Sequence, residues 1–257
     1  VGTVAVWSLT PFFDELDILE IRLATLDDVV DFHVIGESPV THSGHPKELH
    51  LLKDLHLPRW DPWRDKIIHR VIEMPTGVHD WTREKRQRKC LWYGFKGDRN
   101  EDWILLSDLD EIPHPDAVEA AMLQPKGYDE HILLCNMHVA KLNWRWAAPA
   151  HESWQIARIF PAAYVGELYK DLEEARLHHM EPIGPPGWHL SWMNNPEYKL
   201  RSFVHQELVP HADLAGAQMG MPLFPDVVKQ ELEWTDDLPP YVLDHPEKFS
   251  HMMIERP

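Results

Sequence analysis

Residues 104–115 read ILLSDLDEIPHP, an apolar run that ends in three acids within four positions. Asp108 and Asp110 are two apart, so on an extended chain their side chains share a face. Carboxylates gathered in one place repel each other unless a cation or a proton sits among them. Oxygen ligands suit Mg²⁺ or Mn²⁺, which keep water and take substrate phosphates as their remaining ligands. Such an ion neutralises a diphosphate leaving group as a Lewis acid. Two other readings stand beside this one. In the first, Asp108 or Asp110 merely caps the following helix at a solvated turn. In the second, the motif belongs to a haloacid-dehalogenase-like phosphatase with Asp108 as nucleophile. That motif normally opens its fold, whereas here about 100 residues precede it, and Glu111-Ile112-Pro113 replaces the usual Gly-Thr.

The elements that must position these acids read as alternating strands and helices. Residues 3–9, 29–38, 65–74 and 102–108 are short, β-branched or apolar runs and are predicted strands. Asp14 is the predicted cap of a helix over 14–26, whose Leu16, Leu19, Leu23 and Leu26 form an apolar stripe. A helix over 80–95 is expected to bury Leu91, Trp92 and Phe95. Pro115 opens another over 114–123. Further β structure is expected over 131–144, 153–160 and 188–192. Helices are expected over 168–179 and, capped by Asn195, over 195–208, with a last one near 239–249. The alternation through residue 123 predicts an α/β fold with a mostly parallel sheet and more mixed structure after it. Ligands of such sheets sit outside the carboxyl ends of the strands, where Asp108, Glu37, Ser38 and the loop after Leu9 all fall.

Composition bounds the function. The chain has 257 residues, 44% of them apolar, enough for one α/β domain over 1–257. No run approaches the ~20 apolar residues of a membrane span, and no signal peptide is evident, so a cytoplasmic protein is expected. The formal charge of −17 makes nucleic acid a poor default partner. Cys90 and Cys135 form no disulfide framework. The 12 tryptophans are many for this length, and exposed tryptophan faces stack on sugar rings.

The motif has companions in fixed order: residues 11–44, 81–115, 141–146 (KLNWRW), 187–207 (GWHLSWMNNPEYKLRSFVHQE) and 238–249 (LPPYVLDHPEKF). Together these blocks resemble glycosyltransferase family 17, the family of β-1,4-mannosyl-glycoprotein N-acetylglucosaminyltransferases, and more closely its soluble microbial or viral branch. The resemblance implies a single GT-A-like, Rossmann-like nucleotide-diphospho-sugar fold, with 1–123 binding the nucleotide sugar and 124–257 facing the acceptor. It implies inverting transfer from a UDP-sugar, first N-acetylglucosamine, to a glycan or small hydroxyl acceptor, with Mn²⁺ or Mg²⁺. Asp108 would then lie toward the ribose or sugar, Asp110 would hold the metal, and Glu111 would support the sugar donor. A non-catalytic carbohydrate-binding relative, and a transferase acting on modified viral DNA, are the remaining alternatives.

The same frame gives roles to other residues. Glu84 and Arg88 share a helix face, either as a surface ion pair or as an Arg88 that contacts the diphosphate with Glu84 orienting it. Lys85, Arg86 and Lys89 read as a solvated face. Glu37 and Ser38 would bond the nucleoside. Inversion needs a base, for which His189, Glu197 and Glu207 are candidates. His205 is a second metal-ligand candidate, as is His189. Trp144, Trp154 and Trp192 are candidates for stacking on the acceptor.

Overall fold

The computed structural model describes residues 4–125, 127, 129–147, 154–193, 196–203, 206–218 and 232–255. The chain opens with β1 (Val6–Phe12), α1 (Leu16–Thr25), β2 (Phe32–Glu37), α2 (His50–Asp54) and β3 (Ile67–Val71). There follow α3 (Asp80–Cys90), β4 (Trp103–Leu106), β5 (Glu111–Ile112) and α4 (Pro115–Met122). The second half holds β6 (His131–Val139), β7 (Trp144–Trp146), β8 (Trp154–Pro161), the short turn α5 (Tyr164–Glu167), α6 (Leu172–Leu177), β9 (Glu181–Pro182) and β10 (Gly187–Ser191). It closes with α7 (Pro196–Ser202), α8 (Leu214–Gln218), β11 (Leu232–Trp234) and α9 (Pro240–Asp244).

One mixed sheet carries the molecule, in the order β11-β7-β6-β8-β4-β1-β2-β3, with β10, β5 and β9 joined beside β6. The run β3-β2-β1-β4 is parallel throughout. Strand β1 is central to it, which is why its apolar side chains are buried on both faces. Antiparallel pairing enters at β8, between β4 and β6, as the chain's pattern after residue 123 predicts. One face of the sheet packs on α1, α4 and α9, through Ile18, Leu19, Val118 and Val242. The other packs on α6 and the turn after α3, through Leu91, Leu172 and Ala175.

Three local expectations need correction. Asp14 does not cap α1, which starts at Leu16 without a side-chain cap; the backbone N–H of Asp14 instead faces the Glu15 carboxylate at 3.3 Å. Helix α3 stops at Cys90; Leu91, Trp92 and Phe95 follow on and after a 3₁₀ turn and pack on the core as expected, while the helix itself buries Arg83, Gln87 and Arg88. Polar partners at the strand ends thus decide which face of the helix turns inward. Helix α7 ends at Ser202, so the long helix expected over 195–208 is a short helix followed by 3₁₀ turns over Gln206–His211. Its predicted cap, Asn195, lies outside the described residues.

Candidate active site at the end of the fourth strand

From β1 the chain moves to β2 on one side, and later enters β4 on the other. Such a switch in direction leaves a crevice outside the strand ends, where open α/β sheets bind ligands. Residues 13–15 leave β1 there, and Ser107–Glu111 leave β4 there. Helix α3 adds Glu84 and Arg88, α6 adds Glu173 and Arg176, α7 adds Lys199, and β10 adds His189. Gly187 permits the last placement. A Cβ on it would stand 2.2 Å from the Ile112 carbonyl oxygen, so only glycine lets β10 pair with β5 in the register His189↔Glu111.

Each acid of the motif meets long cationic side chains from elsewhere. Asp108, half-exposed, accepts from Arg176 at 2.7 Å and Arg88 at 3.3 Å. Burial pushes its carboxyl up, but Arg176 and Arg88 outweigh that and hold it below the ordinary range. Asp110 accepts from Lys199 Nζ at 2.9 Å, and its other oxygen lies 3.7 Å from His189 Nε2. Here too burial raises, and Lys199 and His189 more than reverse it. Glu111 is 1% exposed and takes two bonds from Arg176, at 2.9 and 3.0 Å. Its Oε2 also accepts the Asp108 backbone N–H at 2.8 Å, which folds the motif into a tight turn.

The backbone of the turn is held from beneath. Arg22 of α1, fully buried, donates to the carbonyl oxygens of Asp108, Leu109 and Glu111 and to the hydroxyls of Ser8 and Ser107. Burial lowers its guanidinium to about 10, still cationic at neutral pH. The sequence reading missed Arg22, Arg176 and Lys199. A charge inside an apolar helical stripe, as in LEIRLAT, is a usable signal for the first; nothing local marks Lys199.

The crevice continues toward β1. Lys199 also reaches Glu15, at 3.1 Å. Phe13 stacks on Tyr198 at 4.9 Å, which closes α7 against the loop after β1. Asp14 lies beside them. Burial, then the neighbouring Glu15, raises its carboxyl to about 7.

The other predicted residues separate clearly. Glu84 and Arg88 pair at 3.0 Å, but Arg88 is 4% exposed and also binds Glu173 at 2.7 Å, so this is a buried pair inside the site and not a surface one. Glu37 is fully buried and meets Lys47, His69 and the backbone N–H groups of Leu51 and Leu52. Ser38 accepts from the Val40 N–H. Glu197 faces solvent, paired with Arg201. Trp192 sits near the site, half-buried, with Lys199 5.8 Å from its ring centre. Its φ of +61° is uncommon for a bulky residue. Trp144 packs edge-on against Trp234 on β11, at the far edge of the sheet. His205 and the side chains of Trp154 and Glu207 lie outside the described residues.

Among the described residues, no three His, Cys, Asp or Glu side chains are grouped to hold a metal. Asp110 and His189 together supply at most two ligands, which fits an ion that completes its shell with water and phosphate. No described helix is long and apolar enough to cross a membrane.

Comparison with known proteins places the chain in a family. The model of "Glycosyltransferase family 17" matches residues 5–219. The chain is similar to the β-1,4-mannosyl-glycoprotein 4-β-N-acetylglucosaminyltransferases of Homo sapiens and Rattus norvegicus, each 31% identical over 111 residues, and of Mus musculus, 30% identical over 111 residues. Each match covers 40% of this chain and 21% of the relative, so the matched segment spans about a fifth of those proteins. The family model covers the strand ends, the acidic turn and the helices that surround it, and on that match the chain belongs to glycosyltransferase family 17.

Proposed function

We propose that the protein is an inverting, GT-A-like glycosyltransferase that moves a sugar, first N-acetylglucosamine, from a UDP-sugar to a hydroxyl of a carbohydrate acceptor. The observation that carries this reading is the turn Asp108–Glu111, set at the switch point between β1 and β4 and ringed by Arg88, Arg176 and Lys199. Asp108 and Arg88 bind the ribose and diphosphate, and Lys199 meets the diphosphate from α7. Asp110, with His189, holds Mn²⁺ or Mg²⁺, whose chemistry is to neutralise the departing diphosphate. The cations on the acids are the groups that turn to phosphate when the sugar donor enters, since guanidinium and ammonium pair with either anion. Trp192 offers a face for a sugar ring beside Lys199.

Inversion needs one group to take the acceptor's proton. Of the three bases named from the sequence, Glu197 is turned to solvent and His189 is taken by Asp110. Asp14, at the crevice mouth with a carboxyl near 7, has the proton affinity the step requires.

The test is thermal unfolding with a panel of nucleotide sugars, with and without Mn²⁺. Selective, metal-dependent stabilisation by one UDP-sugar is expected, and lost in Asp110→Asn. Indifference to every nucleotide sugar would overturn the reading.

A further inference from the structure

His42, half-buried in the loop after β2, has no part in the roles above, yet its protonation is fixed by its neighbours. Gln87 of α3 is 4% exposed, and its amide nitrogen donates to the carbonyl oxygens of Phe12, at 3.3 Å, and Gly36, at 2.8 Å. Those two acceptors require that atom to be the NH₂ group, so the amide oxygen is the one facing His42 Nε2 at 2.6 Å. An amide oxygen only accepts, so Nε2 carries the hydrogen. In the neutral ring Nδ1 is then a bare lone pair. The contact with Gln87 is the ring's one hydrogen bond among the described residues. Burial favours the neutral ring, and the charged groups around it are Glu84 and Arg88 of α3 and Asp108 of the acidic turn. Arg83 of α3 fixes the loop by donating to the His42 carbonyl oxygen.

A fixed acceptor within the electrostatic reach of Asp108 cannot meet a phosphate, which also only accepts. It suits the part of a nucleotide that carries N–H or O–H donors. We infer that His42 is a nucleoside-reading residue, whose Nδ1 accepts from the imide N–H of the base or from a ribose hydroxyl. The carboxyl ends of β1 and β2 are thereby coupled to recognition, because Gln87 bonds to both and sets the tautomer. The inference rests on the nucleotide-sugar reading of the site.

The test is calorimetric binding of UDP, N3-methyl-UDP and the 2′- and 3′-deoxy analogues to the full chain and to His42→Phe and His42→Gln. His42→Phe should bind UDP about three- to tenfold more weakly, the loss of one hydrogen bond. His42→Gln, which can donate to Gln87 and still accept, should keep most of the affinity and guards against a fold defect in the first variant. The analogue that lacks the recognised donor should lose as much against the wild type and nothing further against His42→Phe. Loss on N3-methylation assigns the base, and loss on deoxygenation assigns the ribose. Equal UDP affinity in His42→Phe, or losses that simply multiply for every analogue, would overturn the inference alone. Failure of the wild type to bind any nucleoside diphosphate would overturn it together with the function proposed above.

Discussion

Two parallel strands that flank β1 end in acids, and the acids are treated in opposite ways. Glu37, at the end of β2, is satisfied by the first N–H groups of α2, together with Lys47 and His69. Burial raises its carboxyl, and these partners more than compensate. Backbone amides cannot leave without unwinding the helix, so Glu37 is spent on the fold. Asp108 and Asp110, beyond the end of β4, are matched by arginine and lysine tips from α3, α6 and α7. Those side chains have several rotatable bonds and can exchange one anion for another. The partner's mobility, more than the acid's burial, separates a structural carboxylate from one available to a ligand.

The sharpest way to break this comparison is to remove each acid. Glu37→Ala should cost about 3–5 kcal/mol of stability, because it leaves Lys47 and the α2 N–H groups buried and unmatched. Urea unfolding measures this, and the folded fraction should keep its nucleotide affinity. Asp110→Asn should do the reverse: turnover down about 10²-fold or more, with an unfolding midpoint near that of the wild type. A third prediction concerns acid. Burial pushes His138 down to about 4 and His33 below its ordinary value. Their unfolded counterparts, near 6.5, bind protons that the folded forms refuse. Stability is therefore full above about pH 6.5 and declines as the pH falls toward 4. Denaturation midpoints at pH 7.5 and 5 check the sign, and His138→Gln should reduce the slope. The smallest effect belongs to Glu197→Gln. Its exposed pair with Arg201 should contribute less than about 0.5 kcal/mol, and activity should be unchanged.

Much of the frame was legible in the residues. The β-branched runs at 6–12 and 32–37 and the leucine stripe of α1 follow from short-range periodicity, which one stretch of sequence contains entire. Asp108 and Asp110 stood out because carboxylates at the end of an apolar strand have no packing reason. Their partners did not stand out. Arg176 lies 68 residues from Asp108, and Lys199 lies 89 from Asp110. Only the pairing of β10 with β5 and β6 brings His189 to the turn, and sheet register is set by tertiary packing. The polar inner face of α3 was not legible for the same reason: what Arg83, Gln87 and Arg88 pack on is set by strand ends distant in sequence.

The clasp of Arg22 on the carbonyl oxygens of Asp108, Leu109 and Glu111 has an evolutionary consequence. It grips the main chain and ignores which side chains the turn displays. On the function proposed above, substitutions at 108 and 110 would retune what the protein accepts while the turn stays where α1 holds it. Divergence of substrate preference within such a lineage should concentrate in the displayed side chains and in the helices that answer them, and leave the arginine beneath untouched.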